Sequence, residues 1–359
     1  MLTVKKYGVV EMKKLAVVIM AAVIQFFSCS DLSYHNYDLP SDCEGKCEIA
    51  HDMNSFRDAA ANSAAQFSNC ICLEEGVLDG DVIISKPFNI IGRKDGTSMM
   101  RNISFYNVNN ILISNIAFKN ITVDDSAMFI SGSSVKLEKV TFSNIKAGSL
   151  FGGRAVVISG ERSEVTFENV KIEKTDGTGL LIDGSHEISV MSSTFSNCGF
   201  AGIWVQNSEQ TGGILKVSDS KLNDNGAVSL QILGSTDLEI ADSEINGVKK
   251  REINMEVVGD GIVVKNRMMT KEGSVSIKNF KVTGFERAGI IFDGDSDSIL
   301  NGIVLENISI TSENGQFGAV VQNGLEPAGF RNGIDVNTFT QNDKNLSKPL
   351  YLIETIQEM

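Results

Sequence analysis

Hydrophobic and polar positions follow one template that recurs along most of the chain. In Ile188–Cys198, apolar or small residues stand at offsets 0, 2, 5, 7 and 10, counted from Ile188. Successive copies start about 23 to 37 residues apart, a period typical of repeat architectures. The other copies start at Ile111, Val135, Val165, Val275 and Ile303, with looser ones at Leu215 and Leu238.

Each copy predicts two short strands joined by a bend. Steps of two residues give the alternation of a strand, and the step of three between them marks a turn. A third short apolar run follows most copies, as in Gly179–Ile182 and Gly202–Val205. Three strands and three turns in about 25 residues form one coil of a parallel β-helix, whose coils bury their apolar sides only by stacking. We therefore predict an all-β fold of about ten coils.

Asparagine recurs where the template predicts turns. Asn tolerates the left-handed backbone of sharp turns, and stacked Asn side chains also form hydrogen bonds along a solenoid. The alternative is that these are ordinary turn residues, and both interpretations are structural. The residues are Asn115, Asn120, Asn144, Asn169, Asn197, Asn225, Asn246, Asn279 and Asn307.

The composition fits one extended core and argues against nucleic acid as a partner. The 359 residues are 42% hydrophobic and include 33 Gly but only 4 Pro, which suits stacked strands with tight turns. The formal net charge of −13 gives a surface that repels phosphates.

Residues 1–28 have the pattern of an export signal. Lys13 and Lys14 precede the apolar stretch Leu15–Phe27, which is short for a membrane span. Ser28 is small and Cys29 follows at once, so the segment resembles a bacterial lipoprotein signal, in which the cysteine is lipidated. Plain secretion and an uncleaved anchor are the alternatives. The resemblance implies a cell-envelope or extracellular location, with residues 29–51 as the tether.

Four cysteines near the start are candidates for disulfides. Export places the chain in an oxidising compartment, and four cysteines allow three pairings. A zinc site is the alternative. The residues are Cys43, Cys47, Cys70 and Cys72. Cys198 stands at an inward template position and is predicted to be a buried apolar residue.

Residues 52–68 are predicted to form a helix that caps the open end of the solenoid. Their composition is Ala-rich, and apolar positions recur every three or four residues. With the passage Cys72–Gly92 and the later coils, the chain resembles the right-handed parallel β-helix proteins of the pectin-lyase-like superfamily over about residues 52–325. The resemblance implies a right-handed β-helix over 69–330, leaving 331–359 as a C-terminal cap or covering segment. It implies no single activity, because the superfamily holds lyases, hydrolases, esterases, epimerases and non-enzymatic surface proteins.

None of the catalytic motifs of that superfamily is complete in this chain. Thr175–Gly177 is a fragment of the Asn-Thr-Asp motif of polygalacturonase-like hydrolases, which leaves Asp176 as a weak candidate. His186 beside Glu187 is a second weak candidate for a general acid or base. A turn aspartate and a solvent-facing turn histidine are the structural alternatives.

Two further groups are candidates for binding. Asp293, Asp295 and Asp297 offer oxygen ligands at alternate positions, so a surface calcium site and a plain acidic turn are both open. Lys249, Lys250 and Arg251 form a basic patch in an insertion, which either binds an anionic glycan or is simply solvated.

Alternation along the third strand predicts an apolar stripe on the outside of the solenoid. Such a stripe is usually covered. The cover is either the C-terminal segment or an inserted loop, a partner or second copy, or a glycan that stacks on Trp204. The predicted outward residues are Val157, Leu181, Trp204, Val263, Ile291 and Val320, with Ser229 interrupting the series.

Two functions follow as hypotheses. The first is an exported, lipid-anchored β-helix protein with a structural or glycan-binding role and no catalysis. The second is a polysaccharide lyase or glycoside hydrolase with a diverged site, which convergent carboxylates in a cleft would favour.

Overall fold

The structure, a computed structural model, confirms the predicted parallel β-helix. It makes about nine turns, against the ten that the sequence predicts. The described residues are 36–41, 43, 47–63, 70–150, 152–207, 212–253, 256–266, 274–294, 303–312, 317–322 and 350–353.

Within these ranges the chain forms one helix and thirty strands. In chain order they are β1 (Cys47–Ala50), α1 (Met53–Ser63), β2 (Cys70–Leu73), β3 (Gly76–Ile84), β4 (Asn89–Ile91), β5 (Ser98–Tyr106), β6 (Ile111–Ser114), β7 (Ala117–Val123), β8 (Ser126–Ser131), β9 (Ser134–Glu138), β10 (Thr141–Ala147), β11 (Arg154–Ser159), β12 (Glu164–Glu168), β13 (Lys171–Thr175), β14 (Leu180–Asp183), β15 (Glu187–Met191), β16 (Thr194–Ser196), β17 (Ala201–Asn207), β18 (Gly213–Ser218), β19 (Lys221–Gly226), β20 (Val228–Gly234), β21 (Thr236–Ala241), β22 (Glu244–Lys249), β23 (Arg251–Ile253), β24 (Glu256–Val258), β25 (Asp260–Asn266), β26 (Val275–Thr283), β27 (Ala288–Gly294), β28 (Ile303–Thr311), β29 (Phe317–Gln322) and β30 (Leu350–Ile353).

The strands stack in parallel into three sheets that run along the solenoid. Sheet 1 contains β1, β2, β4, β6, β9, β12, β15, β18 and β21, and sheet 2 contains β7, β10, β13, β16, β19 and β22. Sheet 3 contains β8, β11, β14, β17, β20, β25, β27, β29 and β30. The long strands β26 and β28 run through sheets 1 and 2, and β3 and β5 run through sheets 2 and 3. The hairpin β23–β24 is antiparallel and lies outside the stack.

Every start of the sequence template lies directly above the next. Ile111 pairs with Val135, Val135 with Val165, and Val165 with Ile188. The column continues through Leu215, Leu238, Val275 and Ile303. The interior therefore consists of like residues stacked at about 4.8 Å.

Phenylalanine fills much of the interior. The rings of Phe118 and Phe142 stack with centroids 4.7 Å apart and planes at 10°. Burying one such side chain contributes about 1.5–3 kcal/mol. Further buried rings are Phe105, Phe167, Phe195, Phe280, Phe285 and Phe292.

The turns are closed by residues in the left-handed region of backbone space. In each of the eight template copies, the residue at offset 4 has a φ of 48° to 56°. They are Asn115, Lys139, Asn169, Ser192, Asp219, Asp242, Asn279 and Asn307. Seven of the nine asparagines named above have this conformation. Near Asn225 and Asn246 the left-handed residues are instead Asp224 and Gly247.

At the bends, polar side chains accept hydrogen bonds from backbone amides. The amide of Val170 donates to Ser193 Oγ at 3.0 Å, that of Ser193 donates to Ser220 Oγ, and that of Ser220 donates to Ser243 Oγ. These serines stand at template offset 5, so a small polar residue replaces an apolar one there. Each provides an acceptor for a buried N–H group of the coil below.

Residues 36–41 and 43, which we call the N-terminal strap, lie against the outer side of sheet 1. Asp38 forms ion pairs with Lys94 at 3.1 Å and with Lys139 at 3.2 Å. The hydrogen bond from Lys94 above all, with Lys139 in addition, holds the pKa of Asp38 below its ordinary value. The strap therefore bridges turns that are 45 residues apart in the chain.

Two disulfides fasten the strap and the first strand to the solenoid. Cys43 is bonded to Cys70 and Cys47 to Cys72, each with a Cα–Cα distance of 5.7 Å. Of the three pairings that four cysteines allow, this is the one that joins the first cysteine to the third and the second to the fourth. The sulfurs cluster with Tyr37 and Ile91 on the outside of sheet 1.

Helix α1 lies within residues 52–68, where the cap was predicted. Asp52 begins it, accepting a hydrogen bond from the Ser55 amide at 2.7 Å. The helix buries Phe56 and Ala59 in the main core, and the Phe56 ring meets Phe88 edge-on. Residues 64–69 lie outside the described part of the chain.

The far end of the stack is closed by β30. It pairs in parallel with β29, so that Val320 lies beside Tyr351. The rest of residues 331–359 lies outside the described residues. Within the described part of the chain, no helix is long and apolar enough to cross a membrane.

Candidate functional site

A groove of about 630 Å³ lies on the side of the first coils. It is lined by residues of β3 and β5 and by residues of the end of β7, its turn into β8 and the start of β8. The chain places polar residues here because β3 changes register between Leu78 and Asp81, which opens the surface at this corner.

An aromatic pair lines the groove. The rings of Tyr106 and Phe129 lie 5.5 Å apart at an angle of 38°. Phe129 is half-buried, whereas Tyr106 is 42% exposed. Ser104 and Phe129 are partners across β5 and β8, so the pair belongs to the outer face of sheet 3. An exposed ring beside a groove offers a flat apolar surface to a ligand.

Four aspartates and one arginine supply the charges of the groove lining. Asp79 pairs with Arg101 at 3.1 Å, and Asp125 pairs with Arg154, which stands just outside. Asp81 accepts a hydrogen bond from the Asn102 amide at 3.0 Å. The carboxylate of Asp124 has no hydrogen bond or ion pair with any described residue.

A second aromatic pair lies farther along sheet 3. Trp204 is three strands above Phe129, a distance of about 14 Å at the usual strand spacing. Its ring stacks on Phe200 with centroids 4.6 Å apart. Arg251 of the β23–β24 hairpin lies over the Phe200 ring at 5.5 Å and donates to the Gly199 carbonyl at 2.7 Å.

The structure thus gathers three of the four residues that the sequence singled out for ligand binding. Lys249 donates to Asn197 Oδ1 at 2.9 Å, close to Phe200 and Arg251, while Lys250 is exposed. Asn197 and Gly199 each lie 52 residues before the cation that contacts them, Lys249 of β22 and Arg251 of the hairpin. A role of this group in binding remains a prediction.

The apolar stripe faces outward, as predicted, since none of its six residues belongs to the main core. The sequence placed its interruption at Ser229, which is wrong. Ser229 is fully buried, and the residue in register with Trp204 is Gln231. Ser229 precedes Gln231 by two residues, so the predicted register of this strand was wrong by two residues.

Part of the stripe is covered within the chain itself. Val263, Ile291 and Val320 are at most 4% exposed and form a separate cluster with Ala201 and Val228. Leu181 and Trp204 are only half-buried. Val157, the first residue of the stripe, is also only 4% exposed, so the stripe is open in its middle, at Leu181 and Trp204.

Asp176 and His186 do not meet each other in a shared site. Asp176 is exposed in a turn, where its Oδ2 accepts a hydrogen bond from the Ala147 amide at 3.0 Å. His186 is 1% exposed, not solvent-facing as the structural alternative had it. Its Nδ1 accepts from the Ser163 amide and its Nε2 lies 3.0 Å from the Asp183 carbonyl.

The candidate calcium ligands are only partly described. Asp293 is fully buried rather than on a surface turn, and its Oδ2 lies 3.0 Å from Lys265 Nζ. A lysine thus already balances this carboxylate. Asp295 and Asp297 lie outside the described residues, so the calcium site stays a prediction. Among the described residues, no group of three His, Cys, Asp or Glu side chains is arranged to hold a metal ion.

Cys198 is a buried apolar residue, as its template position predicts. Burial raises the pKa of its thiol to about 12. The charged thiolate is therefore disfavoured at neutral pH.

No pattern in the sequence indicated the groove. Tyr106, Phe129 and the aspartates come from three coils, and no motif joins them. One signal was available, because Phe129 follows the same alternation as Val157 and Leu181 on the next two strands.

Residues 154–270, about a third of the chain, match the family model described as a right-handed β-helix region. With the three parallel sheets, this match defines the chain as a right-handed parallel β-helix protein. No curated protein sequence matches the chain.

Solved structures with a similar course of the backbone include an adhesin and two catalytic domains. PfbA, a surface adhesin of Streptococcus pneumoniae, is 11% identical with a TM-score of 0.45, over 77% of this chain and 84% of its own. The catalytic domain of a GH87 α-1,3-glucanase is 10% identical, with a TM-score of 0.44 over 88% and 70%. The Agl-KA catalytic domain is 13% identical, with a TM-score of 0.43 over 84% and 65%. At these values the likeness concerns the fold and assigns no activity.

Proposed function

We propose that this chain is an exported, lipid-anchored β-helix protein that holds a polysaccharide in the lateral groove without cleaving it. The observation that carries the proposal is the exposed ring of Tyr106 beside Phe129 in a groove of about 630 Å³. One face of a sugar ring is lined with C–H groups and packs on aromatic rings, while polar groups around it bind the hydroxyls.

The pairing of the groove carboxylates supports binding without catalysis. Hydrolysis of a glycosidic bond uses two carboxyl groups, one of them a proton donor. Asp79, Asp81 and Asp125 are each engaged by a neighbouring side chain, which leaves Asp124 alone. His186, the other acid–base candidate, is buried in a turn with both ring nitrogens near backbone groups.

The gathering of four aspartates in one groove favours a second candidate function, a polysaccharide lyase or glycoside hydrolase with a diverged site. The two functions differ in their products. Incubation of the purified chain with a panel of polysaccharides should release neither new reducing ends nor unsaturated products if the first proposal holds. Product formation that is lost in the Asp124→Asn variant would establish the second.

Export and anchoring rest on the N-terminal sequence and the cysteines. The basic and apolar stretches before Cys29 support a lipoprotein signal. The two disulfides add support, since such bonds persist in oxidising compartments. The proposed location is the cell envelope, with the membrane as a partner through the lipid.

A binding experiment tests the role of Tyr106. In a glycan array followed by calorimetry, the Tyr106→Ala variant should lose about tenfold in affinity for the best ligand, since a stacked ring contributes about 0.5–1.5 kcal/mol beyond its buried area. Val304→Ala is the matched control, because Val304 is 39% exposed and lies outside the groove. Equal affinity of the two variants would contradict the proposed site.

A further inference from the structure

The charges of the groove indicate which class of glycan it takes. We infer that the ligand is a polysaccharide with free amino groups, of the glucosamine type, rather than a neutral or acidic one. This inference rests on the proposed function, because it names the ligand of the same groove.

The groove lining carries more negative than positive charge. Four aspartates and one arginine, Arg101, line the groove, whereas Arg154 and Lys146, the strand partner of Thr122, are not among its lining residues. Arg101 is engaged by Asp79 and Arg154 by Asp125. Two carboxylates, those of Asp81 and Asp124, therefore remain without a cationic partner among the described residues.

The carboxylates of Asp81 and Asp124 come from different segments of the groove lining. Asp81 lies on β3, and Asp124 lies in the turn between β7 and β8, and both line the groove. The strand β5 pairs with β3 on one side and with β8 on the other, so it separates the two segments. The negative potential of the two carboxylates attracts a positive group to the groove and repels uronates and sulfated sugars.

The aromatic pair of Tyr106 and Phe129 favours a sugar over a metal ion as the ligand. A bare metal ion would be satisfied by oxygen ligands alone and would gain little from an exposed tyrosine ring. An amino sugar uses both features, because its ring packs on Tyr106 while its ammonium group donates to carboxylates. The hydroxyls of Ser104 and Thr122 and the amide of Asn102 also line the groove and supply partners for sugar hydroxyls.

The test compares three oligosaccharides of equal length by calorimetry: a glucosamine oligomer, its N-acetylated form and an oligogalacturonate. The glucosamine oligomer should bind about tenfold more tightly than the N-acetylated one, and added salt should weaken this preference because it screens the charges. The oligogalacturonate should bind most weakly.

Two variants test whether the carboxylates of Asp124 and Asp81 cause the preference for the glucosamine oligomer. Asp124→Asn should reduce affinity for the glucosamine oligomer about two- to fivefold and affinity for the N-acetylated oligomer by less, because the lost charge acts on the ammonium group. Asp81→Asn should act in the same way, since its amide oxygen still accepts from Asn102. Glu164→Gln, an exposed carboxylate on sheet 1, is the control and should change nothing.

The outcomes separate this inference from the proposed function. If the N-acetylated oligomer or the uronate binds as tightly as the amine, and Tyr106→Ala weakens that binding, the groove is a glycan site but the inference is wrong. If no oligosaccharide binds in any arm, both are wrong. If Ca²⁺ binds in place of the amine and Asp124→Asn removes it, the groove is a metal site and the inference is again wrong.

Discussion

Single residues at the bends decide whether a coil closes. The left-handed backbone needed at template offset 4 is unfavourable for side chains with a Cβ atom, by roughly 1–2 kcal/mol, and is tolerated best by Gly, Asn and Asp. Asn115, Asn169, Asp219 and Asp242 fit this rule. Lys174, at the second turn of its coil, does not fit the rule, because it is a lysine with a φ of 56°.

We therefore expect Lys174→Asn to raise the free energy of unfolding by up to about 1 kcal/mol. Urea unfolding monitored by circular dichroism provides the measurement. Lys119→Asn is the control, since Lys119 is an exposed lysine that precedes the left-handed Asn120 and does not adopt a positive φ itself. A gain in the control, or none at Lys174, would mean that backbone strain is not relieved at this turn.

Among the elements, the N-terminal strap is attached to the solenoid separately from the apolar interior. It contacts the stack from outside, through the Asp38 ion pairs and the disulfides, and it contributes no strand to sheets 2 and 3. Its attachment therefore depends on pH more than the apolar interior does.

The lowered pKa of Asp38 sets the direction of that dependence. A carboxyl whose pKa is lower in the folded state stabilises that state above its ordinary pKa of 3.8, and the contribution is lost as pH falls through the lower folded value. The protection factors of the amides in residues 36–41, which compare measured exchange with that of an unfolded chain at the same pH, should thus be high at neutral pH and fall below about pH 4.

The Asp38→Asn variant should remove most of this pH dependence and exchange faster at neutral pH. Asp58→Asn, on the exposed side of α1, should leave the strap unchanged. Identical exchange profiles for wild type and Asp38→Asn would show that the disulfides and the backbone bridge between Tyr37 and Arg93 hold the strap without Asp38.

For the whole molecule, the proposed tether and the proposed groove lie on different sides. The strap covers sheet 1, whereas the groove is lined by strands of sheets 2 and 3. A chain anchored through residues before the strap therefore leaves its groove open to a polysaccharide.

Replacing Cys29 by serine tests the anchor. The full-length protein expressed in a bacterium should move to the detergent phase in a phase-separation experiment, and Cys29→Ser should remain in the aqueous phase, since one lipidated cysteine supplies the acyl chains. The Cys198→Ser variant is the control and should partition like the wild type. Retention of Cys29→Ser with the membrane would favour an uncleaved anchor.

Much of the fold was predictable because its signal is local. Apolar offsets repeat within each coil, and every template start stacks on the next. The candidate site was less predictable, because its residues are assembled across coils. Trp204 and Arg251 stood out as an outward aromatic and a basic insertion, but their meeting at Phe200 depends on where the hairpin folds back.

The sequence by itself determined the repeat, the inward and outward sides of each strand, and the turns that asparagine closes. Tertiary structure alone decided the disulfide pairing, the burial of His186 and Asp293, and the groove between Tyr106 and Asp124. The physical reason is that periodicity records which way a side chain points along its own strand. It does not record which side chain of another coil, some 25 residues away, comes to lie beside it.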